Sequence, residues 1–336
     1  MEILGTSDAE LRRAGECIAR GGLVAFPTET VYGLGADAFD PRAVARIFEA
    51  KARPSFDPLI VHVSSAGDAD RVAYTSGPGA GALMASLWPG PLTLVLPKRA
   101  AVPDIVTSGL GTVALRLPAH SVARAIIAYS GTAVAAPSAN PFGYLSPTLA
   151  EHVARGLGGK VDLIVDGGPC AVGVESTVLD MTVDPPRVLR PGGMPIEAIE
   201  AVIGPIAGRE PSGAASAARD LAMPAASPGL LESHYAPRTP LFLFEAGAIA
   251  DARPTGRAAA LILSPASKAA LEAGAGRFAL ARYLSATGDL VEAAAGLFAA
   301  LHELDAGGFD EIWAETAPGR GLGPAINDRL FRASRR

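Results

Sequence analysis

The chain has 336 residues, of which 49% are hydrophobic and 19% are charged, so it can bury a sizeable core and is long enough for two domains. Its formal net charge of −5 argues against a surface built mainly to hold nucleic acid, so a cationic site has to be local. The two cysteines, Cys17 and Cys170, form no CxxC pair, which excludes a disulfide framework and a zinc cluster as predictions.

The N-terminal residues MEILGTSDAE contain no basic region followed by an apolar run. No stretch of about 18 apolar residues occurs along the chain. We therefore expect neither export nor a membrane span. A reduced, cytoplasmic setting also fits the two isolated cysteines.

The N-terminal part of the chain contains many short apolar runs that are typical of β-strands. In chain order they are GLVAFP, PLIVHV, LTLVLP, TVALRLP, AVAAP, DLIVDGG, STVLDM and RVLRPG. Too few helical segments separate them for every pair to be joined by a parallel crossover. The pattern therefore predicts an α+β fold with a mixed sheet.

The segment KARPSFDPLIVHV, residues 51–63, follows a predicted helix. Asp40 is the expected N-cap with Pro41 at the first helical position, and Lys51 falls in the last turn. Two prolines prevent the helix from continuing, so we expect Arg53 on a short exposed loop before the next strand.

Side chains alternate along that next strand. Leu59, Val61 and Val63 share one face, while Ile60 and His62 share the other. His62 therefore need not lie in the main core.

Arg116 occupies the minority face of the apolar strand TVALRLP. A charge there is costly to bury unless it meets an anion, so Arg116 is either an edge residue or a ligand-facing residue. Lys51 and Arg53 leave a similar choice between a solvated helix end and an anion-binding site.

Small polar residues follow several strands. Thr28 and Thr30 in PTETVYGLGAD offer hydroxyls and backbone amides at a strand exit, and Ser138 and Asn140 lie on a turn in AAPSANPFGYLSPT. These groups are suited to hydrogen bonding with a polar ligand.

Thr148 and Glu151 form a T-x-x-E capping box after Ser146, which predicts a helix N-terminus. That terminus is either an ordinary cap or a phosphate site built from free N–H groups. Further along, VESTVLD contributes Ser176, and RVLRPGG ends with Arg190 before a tight turn.

Residues 204–240 read as a linker, because ten of these 37 residues are glycine or proline and no helix or strand period persists. We expect a first domain over residues 1–203 and a second over 241–336. In the second, strands alternate with helices, which predicts a small parallel Rossmann-like α/β layer.

The ordered set PTETVYGLG, KARPSFDPLIVHV, the Arg116 strand, PSAN, SPT, ESTVLD and LRPGG resembles the threonylcarbamoyl-AMP synthases, the YrdC-like family. The linker with HYAP and the domain after it resemble the long, two-domain form of that family. The resemblance implies a YrdC-like twisted mixed sheet with helices around a basic cavity. It also implies a nucleotidyltransferase that forms threonylcarbamoyl-AMP and pyrophosphate from L-threonine, bicarbonate or CO2, and ATP.

The same resemblance implies the residues of the site. For L-threonine they are Thr30, His62, Arg116, the backbone at Ala136, and Ser176. For ATP they are Lys51, Arg53, Asp57, Thr112, Ser138, Asn140, Ser146, Arg190 and Tyr235. Lys51, Arg53 and Arg116 are the implied catalytic residues, because the reaction needs positioning and charge neutralisation rather than a dedicated nucleophile.

Mg2+ is expected through the ATP phosphates and water, with no metal-ligating residues assigned. The implied partner is the machinery that transfers the threonylcarbamoyl group to tRNA adenosine, with no stable nucleic-acid binding and no membrane required. His62 is implied either as a hydrogen-bonding wall or as a general base. Asp57 suits a ribose hydroxyl or the adenine amine better than a phosphate.

The linker is expected to act as an active-site lid in which Tyr235 contacts the nucleotide. The family pattern there is similar to SPGMKYRHYAP, whereas residues 227–237 are SPGLLESHYAP. Leu231, Glu232 and Ser233 replace basic and aromatic residues, so charge contacts from these positions are not expected.

Two other functions stay open. The first is a double-stranded RNA-binding or ribosome-maturation module, against which the acidic composition and the lack of basic–aromatic interleaving count. The second is a carbamoyl-adenylating maturation enzyme, but such chains add a zinc-finger segment that the cysteine pattern excludes.

Overall fold

The computed structural model describes residues 1–207, 234–274 and 278–335. Most of the predicted linker, including positions 231–233, lies outside the described residues. The described part of the chain divides into two compact units, whereas the predicted domain boundaries stay predictions. The first unit contains Met1–Phe142, Pro147–Ala171 and residues 175–207, and the second contains Gly143–Ser146, Val172–Val174 and the described residues from 234 onward.

The first unit is built from short strands and helices. Its strands are β1 (Glu2–Leu4), β2 (Val24–Pro27), β3 (Tyr32–Asp37), β4 (Ile60–His62), β5 (Leu92–Pro97), β6 (Thr112–Arg116), β7 (Val134–Ala135), β8 (Leu163–Val165), β9 (Thr177–Asp180) and β10 (Arg187–Arg190). Its helices are α1 (Asp8–Ala19), α2 (Pro41–Lys51), α3 (Ala80–Leu87), α4 (Asp104–Thr107), α5 (Ser121–Ser130), α6 (Ala150–Leu157) and α7 (Ile196–Ile203), with 3-10 turns at Ala66–Arg71 and Gly158–Lys160.

Among the described residues, ten strands of this unit form one mixed sheet in the order β1-β8-β2-β3-β7-β4-β6-β5-β9-β10. Strands β4 and β6 run parallel, whereas β4 and β7 and also β5 and β6 run antiparallel. The predicted α+β class with a mixed sheet is therefore confirmed.

The two faces of the β4–β6 pair differ as the alternation predicts. Val61 and Leu115 belong to the main core, whereas Ile60 and Ala114 pack in a separate small cluster on the other face. His62 and Arg116 are register partners at the ends of the two strands. Since side chains alternate, His62 and Arg116 share the face that points away from the main core.

The helix before β4 also forms as expected. Asp40 caps α2 by accepting the Arg42 backbone N–H, Pro41 occupies the first turn, and Lys51 is the last helical residue. The helix stops at Ala52, which adopts the left-handed conformation with φ of 51°. A residue in this conformation ends the helical hydrogen-bond ladder.

One strand was not predicted, and one local prediction was wrong. Thr28 and Thr30 do follow the end of β2, but the YGLGAD segment after them is itself the strand β3, antiparallel to β2. A Cβ at Gly35 would lie 2.5 Å from the ring of Phe26, so this glycine permits close strand packing. The capping box is also absent at α6, whose N-cap Leu149 makes no side-chain cap hydrogen bond, while Glu151 pairs with Arg155.

The second unit contains β11 (Leu241–Phe244), β12 (Ala258–Ile262), α8 (Pro265–Glu272), β13 (Leu280–Tyr283), α9 (Leu290–Ala306), β14 (Glu311–Glu315) and α10 (Gly323–Ala333), with a 3-10 turn at Ile249–Asp251. Its four described strands are all parallel, in the order β11-β14-β12-β13. Helix α9 contributes buried aliphatic residues, including Leu297, Leu301 and Leu304. The predicted parallel Rossmann-like layer is confirmed.

Candidate functional site

A tight connection between β2 and β3 carries the first candidate residues. Thr28 closes it, because its hydroxyl donates to the Val31 carbonyl at 2.6 Å and accepts the Thr30 and Val31 backbone N–H groups at 3.2 Å each. Glu29 and Thr30 are thereby held next to each other, and both are buried.

The Arg116 guanidinium reaches this connection from the end of β6. Its Nη1 donates to the Thr30 hydroxyl at 2.9 Å, and its Nε donates to the Gly90 carbonyl at 3.3 Å. Its Nη2 lies 2.6 Å from Glu29 Oε1, and both side chains are at least 90% buried. Arg116 is therefore a buried cation whose anion comes from the protein itself, and the edge-residue interpretation is wrong.

His62 stands beside Arg116 in the sheet and is neutral at physiological pH. Burial, reinforced by the Arg116 charge, lowers the pKa of His62 to about 3. A general base needs a pKa near the operating pH, so these surroundings favour a hydrogen-bonding wall over a base.

Glu29 keeps its negative charge in this buried place. Burial acts to raise the pKa of Glu29, but the neighbouring Arg116 guanidinium outweighs that effect, and the pKa lies below its ordinary value. The pair therefore consists of one cation and one anion at neutral pH.

Ser176 and Arg190 form a second cluster. Arg190 Nη2 donates to the Ser176 carbonyl at 3.0 Å, and the Ser176 and Thr93 hydroxyls are 2.7 Å apart. The Thr177 N–H donates to the Pro91 carbonyl at 3.0 Å, one residue from the Gly90 carbonyl that holds Arg116. The Ser176 and Arg116 clusters therefore lie side by side at the start of β5.

Lys51 lies in the third cluster and is buried. Its Nζ donates to the backbone carbonyls of Ser138 and Asn140, so this turn holds the ammonium through backbone oxygens. Burial, with the nearby Arg53 charge, lowers the pKa of Lys51 well below its ordinary value, while Asp57 and Glu175 oppose this effect. Lys51 is thus a poorly solvated side chain whose ammonium form an incoming anion would favour.

Arg53 departs from its prediction. Instead of lying on an exposed loop, its side chain is 3% exposed and pairs with the fully buried Asp57 at 2.9 Å. The same guanidinium donates to the backbone carbonyls of Asp57 and Pro58 at 3.0 and 2.8 Å. The segment folds back on itself because the two prolines stop the helix, and the buried arginine then requires a carboxylate.

The remaining candidates of the first unit are Ala136, Asn140 and Thr112. The Ala136 N–H donates to the Ile60 carbonyl at 2.9 Å, and the Asn140 side-chain amide donates to the Pro141 carbonyl at 2.9 Å. Thr112 is half-buried at the opposite end of β6 from Arg116. At about 3.3 Å per residue, their backbones are about 13 Å apart, so the strand keeps these two candidates separate.

Ser146 and Tyr235 belong to the second unit. The Ser146 carbonyl lies 3.1 Å from His302 Nε2. Tyr235 is buried, with its ring centroid 5.7 Å from that of Phe298 and 5.2 Å from the Arg329 guanidinium carbon. The predicted contacts of Ser146 and Tyr235 with ATP stay predictions.

Sequence reasoning missed two acidic residues and one hydroxyl of the site. Glu29 and Glu175 lie inside the motifs PTETVYG and VESTVLD, and Thr93 lies in the strand LTLVLP. The two acids could have been expected, because a buried cation requires a counter-ion. Thr93 had no such signal, because its partner Ser176 is distant in sequence.

The described residues contain no group of three or more histidine, cysteine, aspartate or glutamate side chains arranged to hold a metal ion. Within the same residues, no helix combines the length and apolar character that spanning a membrane requires.

The first unit thus contains three clusters, around Arg116, Arg190 and Lys51. They provide fixed positive charges in poorly hydrated surroundings. Such charges stabilise anions strongly, because little water competes for them and little reorganisation is needed when an anion arrives. Hydroxyls at Thr30, Thr93 and Ser176 add short-range polar contacts. Each of these clusters is suited to holding a carboxylate or a phosphate group.

Comparisons with known proteins agree over almost the whole chain. A family model described as "Telomere recombination", for the Sua5, YciO and YrdC proteins, matches residues 16–192. A second, described as "Threonylcarbamoyl-AMP synthase, C-terminal domain", matches residues 194–335.

Individual relatives are similar over the same length. The threonylcarbamoyl-AMP synthase of Pyrococcus abyssi is 44% identical over 97% of this chain and 94% of its own, and that of Bacillus subtilis is 43% identical over 98% and 94%. The solved structure of P. abyssi Sua5 complexed with L-threonine is similar with a TM-score of 0.88 and 42% identity, covering 99% of this chain and 98% of that one.

Proposed function

This chain belongs to the threonylcarbamoyl-AMP synthase family, and we propose how its residues divide the work of that reaction. The enzyme makes threonylcarbamoyl-AMP, a nucleotidyl transfer that serves threonylcarbamoylation of tRNA adenosine. In the proposed overall reaction, L-threonine, bicarbonate and ATP give threonylcarbamoyl-AMP, pyrophosphate and water.

The observation that carries the proposal is the buried Arg116 guanidinium at the Thr30 connection. A planar guanidinium can hold a carboxylate with two parallel hydrogen bonds. We assign the threonine carboxylate to Arg116, and the remaining polar contacts of threonine to Thr30, neutral His62, the Ala136 backbone and Ser176. The threonine complex of the P. abyssi relative supports threonine as the amino acid.

The nucleotide is assigned to the cationic residues of the other clusters. Lys51 and Arg190 are buried cations that can neutralise phosphate charge, and the Ser138–Asn140 turn fixes the Lys51 ammonium. Arg53 is held by Asp57, so we assign this pair to shaping the nucleotide site through a fixed guanidinium. Thr112, Ser146 and Tyr235 complete the proposed set.

Catalysis in this scheme is positioning with charge neutralisation. The threonine nitrogen is carboxylated first, and a carbamate oxygen then attacks the α-phosphorus of ATP while the bond to pyrophosphate breaks in line. Lys51, Arg53 and Arg116 lower the cost of bringing these anions together, since fixed charges act without reorganisation. No side chain is required as a covalent nucleophile.

Mg2+ is proposed to enter with the ATP phosphates and to reduce their charge. Because the described residues offer no cluster of metal ligands, no protein cage is assigned to it. The downstream tRNA-modifying machinery and a cytoplasmic setting are part of the same proposal. The lid role of residues 204–240 stays a prediction, since positions 208–233 are outside the described residues.

The direct test measures pyrophosphate release from ATP and Mg2+ with L-threonine and bicarbonate each present or omitted. The expected result is release only when both are present, with threonylcarbamoyl-AMP detected by mass spectrometry. Release that does not depend on threonine would overturn the substrate assignment. Threonine-independent binding of double-stranded RNA, without ATP use, would instead support the RNA-binding function.

A further inference from the structure

Glu29 is a buried carboxylate that the scheme above does not use. Arg116 Nη2 approaches its Oε1 at 2.6 Å, yet this contact lacks hydrogen-bond alignment. The Arg116 guanidinium and the backbone groups of Ala119 and Glu29 lower the pKa of Glu29, but none of them meets full hydrogen-bond geometry at either carboxylate oxygen. Glu29 therefore has acceptor capacity left over.

This leftover capacity is unusual for a buried charge. A carboxylate out of water is ordinarily satisfied by several donors, and leaving it unsatisfied costs free energy. The chain nevertheless fixes Glu29 firmly, because the Thr28 hydroxyl bonds the backbone of the connection at Thr30 and Val31. A rigid, ionised and under-satisfied carboxylate beside a proposed substrate site points to a ligand that brings donors.

The same reasoning applies to the arginine. Arg116 uses Nε and Nη1 on Gly90 and Thr30, while Nη2 makes no aligned hydrogen bond with a described residue. The pair thus presents one cation and one anion in direct contact, each with hydrogen-bonding capacity remaining. His62 next to it is neutral and adds no charge.

An α-amino acid carries the complementary charges. Its carboxylate and ammonium are attached to one carbon atom, and the ammonium brings three N–H donors. Resting on the threonine site proposed above, we propose that Glu29 binds the ammonium group of the substrate while Arg116 binds its carboxylate. The Glu29–Arg116 pair is then a preformed partner for a zwitterion.

This assignment makes Glu29 a specificity residue. A molecule with only a carboxylate gains the contact with Arg116 but meets the Glu29 charge without an ammonium to neutralise it. A free amino acid gains both contacts. The site should therefore reject 2-hydroxy acids that share the shape of threonine.

The test measures the binding of two ligands to the full-length protein by calorimetry. The ligands are L-threonine and (2S,3R)-2,3-dihydroxybutanoate, in which a hydroxyl replaces the ammonium. Glu29→Gln keeps the size of the side chain and removes its charge. Because this variant loses a hydrogen bond to a charged group, we expect it to bind threonine about 10- to 100-fold more weakly. Its affinity for the dihydroxy acid should stay equal or rise.

The matched variants separate recognition from positioning. Glu29→Asp keeps the charge and should keep the preference for threonine over the dihydroxy acid, whereas Arg116→Ala should weaken both ligands. If Glu29→Gln weakens both ligands equally, Glu29 acts only by positioning Arg116 and the proposal is wrong. Unchanged threonine affinity in Glu29→Gln would also overturn it.

The unmodified protein gives a second measurement in case Glu29→Gln fails to fold. It should bind threonine at least about 10-fold more tightly than the dihydroxy acid, and equal affinities would overturn the proposal. Failure of the proposed function looks different, because the unmodified enzyme would then release pyrophosphate without threonine or would bind no threonine at all.

Discussion

Replacing Arg116 with alanine should separate threonine recognition from ATP binding. The guanidinium is buried and already oriented by the Thr30 hydroxyl and the Gly90 carbonyl, so little freedom is lost when a carboxylate binds. Two charge-assisted hydrogen bonds are worth about 1.5–3 kcal/mol each. A combined loss of about 3–4 kcal/mol raises the KM for threonine by two to three orders of magnitude.

ATP binding should change little in the same variant. Lys51 and Arg190 retain their own contacts, and separated sites usually add within about 0.3–0.5 kcal/mol, so the KM for ATP should stay within about twofold. The assay is pyrophosphate release as a function of each substrate. A larger rise in the KM for ATP than for threonine would refute the division of the site.

The structure also dictates the control for this experiment. Alanine at position 116 leaves Glu29 as a buried carboxylate without its cation, which costs about 3–5 kcal/mol of stability. The double variant Arg116→Ala, Glu29→Gln removes the stranded charge and should recover part of the thermal stability. If both variants lose ATP affinity in parallel with stability, the threonine effect reflects unfolding.

Three further predictions concern charge and stability. Lys51 should take up a proton when ATP binds, at pH values between its pKa in the free protein and its pKa in the ATP complex, because phosphate favours the ammonium form. Calorimetry in buffers of different ionisation enthalpy should show this uptake, and Lys51→Met should abolish it. His62 protonates below about pH 6.5 in the unfolded chain but only near pH 3 in the folded protein, so the free energy of unfolding should fall as pH drops between these values. The fall should be steeper than in His62→Gln by about 1.4 kcal/mol per pH unit. Denaturation measured across this pH range that gives the same pH dependence for both proteins would contradict the prediction. Glu315 in the second unit is buried and accepts hydrogen bonds from the Leu263 N–H and the Ser267 hydroxyl, each at 2.7 Å. Glu315→Gln should therefore lower the free energy of unfolding by about 3 kcal/mol in chemical denaturation and leave the KM for threonine unchanged. An unaltered denaturation midpoint would refute this structural role.

Local patterns in the sequence were sufficient for much of the fold. The alternation around His62 and Arg116 correctly predicted which face of each strand is apolar, because strand side chains have a fixed period of two. The end of α2 at Lys51 followed from a cap and two prolines. The strand β3 was missed because its glycines resemble a loop, whereas they serve close packing against Phe26.

Pairings between distant residues were less accessible. Arg53 was predicted to be exposed, since nothing in a Pro-flanked turn shows that Asp57 folds back onto it. The apparent capping box failed because Thr148 donates its backbone N–H to His152, so the local motif is overridden by other contacts. The resemblance supplied candidate residues, but the acids that accompany the cations emerge only when the side chains are placed.

These acids change the electrostatic description of the site. Arg116 lies against Glu29, and Arg53 lies against Asp57. These two cations are therefore buried at a lower cost before any substrate arrives, since an unpaired buried charge would destabilise the fold. Lys51 differs, because burial lowers its pKa well below the ordinary value even though Asp57 opposes this effect.

The cost of this arrangement is that a bare anion is attracted by the cation and repelled by the adjacent carboxylate at nearly the same distance. Ligands that carry their own positive charge escape the repulsion. In the proposed scheme, a zwitterionic amino acid does so through its ammonium, and ATP does so when Mg2+ accompanies its phosphates. We therefore expect paired charges to select the ionic form of both substrates, which a purely cationic cavity cannot do.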